Sequence, residues 1–180
     1  SLSADGRMLV FTSCDGRRGY GSCDIYVSYK EGDEWSSPEN IGPYINSEAW
    51  EAQPSLSADG RTIYFVSNRQ GGHGRKDIWS SSKDEKGKWQ PAENLGKQIN
   101  TNKDEISPFI HANGESIYFS SNGRIGLGGL DIYMSEKIEG NWTEALNLSY
   151  PLNDAHDQVS LYISSDGEKG YYTIEKKKQN

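Results

Sequence analysis

Residues 54–68 read Pro54-Ser55-Leu56-Ser57-Ala58-Asp59-Gly60-Arg61-Thr62-Ile63-Tyr64-Phe65-Val66-Ser67-Asn68. Asp59-Gly60 supplies the positive φ angles of a tight hairpin turn, so it joins two strands. The second strand carries Ile63, Tyr64, Phe65 and Val66 in succession. A run without alternation is expected where both faces of a strand are covered. A Gly-rich loop from Gly71 to Gly74 follows, then Asp77-Ile78-Trp79, Trp89, Asn94-Leu95-Gly96 and Ile99-Asn100.

The same order recurs along the chain. The turn pairs Asp5-Gly6, Asp59-Gly60, Asn113-Gly114 and Asp166-Gly167 are spaced by 54, 54 and 53 residues. A fixed period of this size marks a repeat architecture, in which one unit buries its apolar face only by stacking on its neighbours. The first copy has Leu9-Val10-Phe11, Asp24-Ile25-Tyr26, Trp35, Asn40 and Ile45-Asn46. The third has Ile117-Tyr118-Phe119, Asp131-Ile132-Tyr133, Trp142, Asn147 and Leu152-Asn153. A fourth stops after Tyr171-Tyr172-Thr173-Ile174, which is two strands.

Each full copy reads as four short antiparallel strands with no helical periodicity between them. Strand three starts at the Asp-Ile pair, and strand four carries Trp-x-x-x-x-Asn. That is the blade of a β-propeller, an all-β fold. The expected blades are 1–53, 54–107 and 108–160, with a half blade at 161–174 and a charged linker at 175–180. Propellers have roughly 4–8 blades, and an open arc leaves sheet faces and edges bare. The chain is therefore expected to be the C-terminal part of a larger ring. Composition fits: only 33% of residues are hydrophobic but 11% are aromatic, and large rings fill narrow wedges between blades with few residues.

The order Pro-x-x-Ser-x-Asp-Gly, Ile-Tyr-Phe-x-Ser-Asn and Gly-Gly-x-Gly-x-x-Asp-Ile-Tyr resembles the TolB-like, WD-type propeller repeat. Three further elements, Trp89 to Gly96, Ile99 to Thr101 and Asp104 to Phe109, are similar to the propeller of OmpA-family envelope lipoproteins associated with type IX secretion. The resemblance covers residues 1–174. It implies a scaffold in the Gram-negative periplasm, at the periplasmic side of the outer membrane, with envelope or secretion-system proteins as partners. Peptidoglycan would be reached only through a flanking domain that these residues do not include.

The formal net charge is −7. Nucleic-acid binders show a basic footprint, and the one basic run is Lys176 to Lys178, so nucleic acid is not an expected partner. No apolar stretch is long enough for a membrane-spanning helix.

Cys14 follows strand two of the first copy and Cys23 precedes strand three. Antiparallel neighbours of this kind can be bridged across the loop base, and an oxidising periplasm favours a disulfide. The alternative is two free thiols. No His or further Cys stands at metal-ligand spacing.

Asp24, Asp77 and Asp131 recur in every copy, which suits a structural acceptor of loop N–H groups better than three catalytic acids. Trp35, Trp89 and Trp142 likewise read as packing. The Gly-rich loops precede strands rather than helices, so they are not phosphate cradles. Asp59-Gly60 lacks the intervening residue of a sialidase Asp-box. With no catalytic constellation to assemble, the chain is expected not to be an enzyme and to need no cofactor.

Two sets of residues remain as candidate sites. Glu51, Asp104, Glu105 and Asp157 lie in segments that precede strand one, which lines a propeller channel, and could converge near its mouth as oxygen ligands for Ca²⁺. Arg17, Arg18, Tyr20, Arg69, His73, Arg75, Arg124 and Ile125 lie on the strand two–three loops, at one face of the ring. Arg and aromatic residues are favoured at interface hot spots, so this face is the expected partner surface. A scaffold docking envelope proteins is the leading function. A carbohydrate-active or peptidase-associated propeller, and a metal- or ligand-binding channel mouth, are the alternatives.

Overall fold

The computed structural model describes residues 1–15 and 19–175. Among these there is no helix, and fifteen strands form four antiparallel sheets. The first blade holds β1 (Met8–Ser13), β2 (Asp24–Glu31), β3 (Glu34–Trp35) and β4 (Glu39–Asn40). Its innermost strand is a stub in which Leu2 bridges Leu9. The second blade holds β5 (Glu51–Leu56), β6 (Thr62–Ser67), β7 (Asp77–Ser82) and β8 (Glu93–Asn94). The third holds β9 (Glu105–Ile110), β10 (Ser116–Ser121), β11 (Asp131–Ile138), β12 (Asn141–Trp142) and β13 (Leu146–Asn147). The pair β14 (Asp157–Ile163) and β15 (Gly170–Glu175) makes the half blade. Inner strands β5, β9 and β14 stand side by side, which is the radial order of a propeller.

Three details depart from the sequence expectation. Strand one starts at Glu51, Glu105 and Asp157, ahead of the repeat boundaries at 54, 108 and 161. Strand four is broken into short pieces, because Pro38 and Pro91 interrupt its ladder in the first two blades. A hydroxyl from strand three caps each break: Ser28 donates to Ser36 O at 2.7 Å, Ser81 to Gln90 O at 2.5 Å and Ser135 to Thr143 O at 2.7 Å. Glu175 belongs to β15 rather than to a linker, and the rest of the expected linker, 176–180, lies outside the described residues.

The core lies between blades. Val10, Ile25, Val27 and Ile45 of the first blade pack on Leu56, Ile63, Phe65 and Trp79 of the second. Tyr64, Ile78 and Ile99 of the second pack on Ile110, Ile117, Phe119 and Tyr133 of the third. Burial, with the nearby Asp59 charge, pushes the Tyr64 hydroxyl up to about 12. Two of the three repeated Trp residues serve these junctions; Trp35, expected to pack, is 42% exposed and lies in neither cluster. Trp89 packs against the first blade's cluster, and Trp142 meets the Tyr64 ring edge-on at 6.1 Å.

Each blade is tied at its centre by a buried asparagine. Asn46, Asn100 and Asn153 accept from the N–H of Ile25, Ile78 and Ile132 at 2.8 Å each. Each returns an N–H to the carbonyl of the same isoleucine at 2.9 Å. Its other amide hydrogen goes to Asn40, Asn94 or Asn147 at 2.8–2.9 Å. The side chain thus pairs with strand three as a partner strand would. The Asn100→Ala variant leaves the Ile78 N–H and one carbonyl site unpaired in the core, so it is expected to lose about 2–4 kcal/mol of unfolding free energy. Urea titration of the variant beside wild type measures this.

Candidate functional site: the loop face and the inner groove

The strand two–three loops are held rigid from below. The Asp24 carboxylate accepts from the N–H groups of Tyr20 (2.7 Å) and Gly21 (3.3 Å). Asp77 accepts from His73 and from Gly74 at 2.9 Å. Asp131 accepts from Leu127 at 2.9 Å and Gly128 at 3.2 Å. Asn40 and Asn94 donate to Asp24 and Asp77 at 3.2 and 2.8 Å, which links the loops to the buried asparagines. From the side, Gly21, Gly74 and Gly128 press on the next connection. A Cβ on them would collide with the carbonyls of Ala49, Lys103 and His156. This close approach is why the loops are Gly-rich.

On this frame the loops present exposed side chains. Tyr20, His73 and Arg75 are exposed. Ile125 is 98% exposed and Leu127 55%. The Ile125 carbonyl is fixed by the Tyr133 hydroxyl at 3.0 Å, so a fully bare aliphatic side chain sits on a fixed backbone. Arg75 is tied to Asp104 across the junction of the second and third blades at 2.5 Å. Arg17 and Arg18 lie outside the described residues. The structure joins Cys14 to Cys23, closing the first loop at its base.

Two of the expected surface residues are internal. Arg69 pairs with Glu51 at 3.2 Å, donates to the Ile45 carbonyl and lies over the Phe65 and Trp79 rings at 5.2 and 5.1 Å. Burial holds its guanidinium below the ordinary value. Arg124 donates to the carbonyls of Gln98 and Ile99 at 2.7 and 3.0 Å and stacks on Tyr133 at 5.9 Å. Both bridge blade to blade rather than facing a partner. Sequence reading took them for surface residues because they lie on the strand two–three loops. It missed Leu127, although an apolar residue two places after Ile125 in a Gly-rich loop was a visible signal.

The four acids do not converge, and among the described residues no group of three His, Cys, Asp or Glu could hold a metal ion. Glu51 and Glu105 each serve their own blade, whereas Asp104 and Asp157 bond the loop of the blade before. Glu51, fully buried, accepts from Ser47 N, Ser47 Oγ and Ser67 Oγ at 2.7 Å each. Glu105, also fully buried, accepts from Thr101 N at 2.8 Å and from the hydroxyls of Thr101 and Ser121 at 2.7 Å. Asp104 pairs with Arg75, and Asp157 accepts from Leu130 N at 3.0 Å. The half blade inverts the pattern. Gln158 stands at the Glu position and donates to Asp154, which stands at the Ser/Thr position, at 2.6 Å.

The inner strands enclose a groove of about 570 Å³, lined by residues such as Leu2, Pro54, Leu56, Pro108, Phe109 and Tyr162. None of the expected acids is in its wall, which carries no Asp, Glu, His, Lys or Arg side chain among the described residues. Gln53 and Ser107, each before a proline, adopt φ of 53° at matching bulges in β5 and β9. The Gln53 N–H donates to Thr12 Oγ1 at 3.1 Å, and the Ser107 N–H to Gln53 Oε1 at 2.9 Å, so side chains stitch these strained positions blade to blade.

Four-stranded blades packed radially define a β-propeller segment, and solved TolB structures share its fold. TolB from Acinetobacter baumannii superposes with a TM-score of 0.65 at 17% identity, over 99% of this chain and 38% of that one. A putative TolB from Agrobacterium tumefaciens does so with a TM-score of 0.61 at 17% identity, over 96% of this chain and 56% of that one. The periplasmic gluconolactonase PpgL of Pseudomonas aeruginosa gives a TM-score of 0.53 at 16% identity, over 93% and 47% of the two chains. The chain thus spans less than two thirds of each of these proteins. No protein-family model and no curated protein matches the sequence. At such identities the likeness is one of fold. It corrects the expectation, drawn from the lack of a catalytic constellation, that the chain is not an enzyme: the fold is shared with a gluconolactonase, so it does not separate binding propellers from catalytic ones.

The buried acids give a prediction of sign and size. Burial raises the Glu105 carboxyl above its ordinary value, against the hydrogen bonds that lower it. The folded state therefore holds that proton more tightly than the unfolded one. Glu105's contribution to stability improves as pH falls through its raised folded value and worsens as pH rises through that window. Glu105→Gln removes this pH dependence; its amide oxygen still accepts from the two hydroxyls, but its NH2 replaces the oxygen that accepts from the Thr101 N–H and leaves that donor unpaired, costing about 1–3 kcal/mol near neutral pH. Adding Thr101→Asp recreates the Asp154–Gln158 pair and is expected to recover about 1 kcal/mol or more of coupling energy. A double-mutant cycle by denaturant unfolding measures both.

Proposed function

We propose that this chain is part of an extracytoplasmic propeller that docks protein partners on its loop face. The observation that carries the reading is the rigid presentation of bare Ile125 and Leu127, beside Tyr20, His73 and Arg75, on loops pinned by Asp24, Asp77 and Asp131. Side chains held on a fixed backbone lose little entropy on binding, and interface anchors gain from that. The periplasm is the proposed compartment. The Cys14–Cys23 disulfide suits an oxidising space, and the fold is that of TolB and of a periplasmic gluconolactonase.

The finer assignment is to an OmpA-family envelope protein at the outer membrane, associated with type IX secretion. It rests on the Trp89 to Gly96, Ile99 to Thr101 and Asp104 to Phe109 segments alone. The test is crosslinking mass spectrometry in envelope extract with the chain as bait. Crosslinks concentrated at residues 19–22, 72–76 and 124–128 are expected. The Ile125→Asp/Leu127→Asp variant is expected to keep its melting temperature and bind its partner about 10–100-fold more weakly, the usual effect of losing a central anchor. Crosslinks spread evenly, or capture unchanged in the variant, would remove this face from the account.

A further inference from the structure

The outer rim carries the same cleft twice, and the chain furnishes the two copies differently. At the junction of the first and second blades a cleft of about 290 Å³ is lined by residues that include Tyr29, Pro43, Tyr44, Lys83, Lys88 and Trp89. At the junction of the second and third, Gln98, Lys137, Asn141 and Trp142 line its counterpart. The frame is shared. The Ala92 N–H donates to the Tyr44 carbonyl at 2.9 Å, and the Ala145 N–H to the Gln98 carbonyl at 3.3 Å. Lys83 lies over the Trp89 ring at 4.6 Å, and Lys137 over Trp142 at 5.6 Å. The furnishing is not shared. Ser82 stands at the repeat position of Tyr29, Gln98 at that of Tyr44 and Asn141 at that of Lys88. A need common to both junctions explains the Lys–Trp pair, but not Tyr29, Tyr44 and Lys88.

The first cleft combines open aromatic faces with cations that lack counter-charges. Tyr29 and Tyr44 are 42% and 53% exposed. Lys83 is half-buried, whereas Lys137 is exposed. The Lys83 ammonium donates to the Met8 sulfur at 3.6 Å, and among the described residues neither Lys83 nor Lys88 forms an ion pair. Burial, then the nearby Arg61 charge, hold that ammonium below its ordinary value against the pull of Asp59. No Asp or Glu side chain lines the cleft among the described residues. On a protein of net charge −7 this is a local cationic spot. Its backbone is fixed. Tyr29 donates its N–H to Ser36 Oγ at 3.0 Å and accepts from the Ser36 N–H at 2.8 Å. The Lys88 N–H donates to the Asp84 carboxylate at 2.8 Å, and the Asp84 N–H to the Lys88 carbonyl at 2.9 Å. The volume stands at the low end of the roughly 300–1,000 Å³ of ligand sites, which suits a single ring better than a peptide.

We infer that this rim cleft binds a sugar residue bearing one carboxylate, of the uronic acid kind. The carboxylate supplies the counter-charge that Lys83 lacks, with Lys88 beside it. The C–H face of the sugar rests on the aromatic rings, whose faces carry negative π density. The Tyr29 and Tyr44 hydroxyls serve the sugar hydroxyls. An aromatic acid would use the rings and lysines but leave those hydroxyls idle, and a neutral sugar would leave the ammonium uncompensated.

The test titrates the chain with glucuronate, glucose and benzoate by calorimetry. Saturable one-to-one binding of glucuronate is expected, about tenfold or more tighter than that of glucose or benzoate. Tyr44→Gln/Lys88→Asn gives the first cleft the side chains of the second. Both positions are exposed, so the melting temperature is expected to hold while glucuronate binding weakens about tenfold or more. Lys83→Met keeps the apolar stem, removes the charge and is expected to weaken binding to the same degree. Lys137→Met, in the second cleft, is expected to bind as the wild type does. No saturable binding of glucuronate up to about 10 mM overturns the inference. So does unchanged binding in either first-cleft variant, or an equal loss in Lys137→Met. Glucose binding as tightly as glucuronate would remove the carboxylate from the account, and benzoate binding more tightly would remove the sugar.

Discussion

A buried carboxamide closing on one isoleucine peptide unit is the constraint on which each blade depends. Strand three has a full neighbour on one side only, since strand four is two residues long where it pairs. Without Asn46, Asn100 or Asn153, the Ile25, Ile78 or Ile132 N–H would be buried with no partner. A buried unsatisfied donor costs about 1–3 kcal/mol. The same asparagines hold Asn40, Asn94 and Asn147, and two of these reach the Asp that fixes the loop above. One network thus runs from the blade core to the loop face, and it repeats because the need repeats.

Much of this was legible in the sequence. Asp-Gly and Asn-Gly turns, consecutive apolar residues and the recurring Asp-Ile-aromatic all act locally, so a linear reading finds them. The turn chemistry holds down to the atoms. Ser57 Oγ donates to Asp59 at 2.6 Å while accepting from the Thr62 N–H at 2.9 Å, and the first turn repeats this with Ser3 and Asp5. The acids and arginines were misread. Glu51 and Arg69 are eighteen residues apart and look like loop charges, yet they meet inside the protein. Their burial is tolerable because each carboxylate oxygen also takes hydrogen bonds from backbone or hydroxyl groups. No local pattern announces such a pair. The clue lay in the spacing: Glu51 and Glu105 sit one repeat apart, as structural residues do.

Position in the repeat separates structure from function in this chain. Asp24, Asp77 and Asp131 and the buried asparagines answer needs that every blade has, and Trp89 and Trp142 fill the junctions. Ile125, Leu127, Tyr20 and His73 answer none that the fold reveals, and they are bare. TolB and a gluconolactonase share this architecture at similarly low identity. The fold therefore places no limit on chemistry, and function rests on what each chain mounts on the loops and inside the groove.

Native-state hydrogen exchange at the amides of Ile25, Ile78 and Ile132 tests the central claim most directly. If the asparagine closures hold the blades together, these three amides exchange only through global unfolding, and their free energies match that of denaturant unfolding. Exchange as fast as that of the loop amides of Tyr20, His73 and Leu127 would contradict it. It would show that the blades are held by the inter-blade aromatic packing, with the asparagines as passengers.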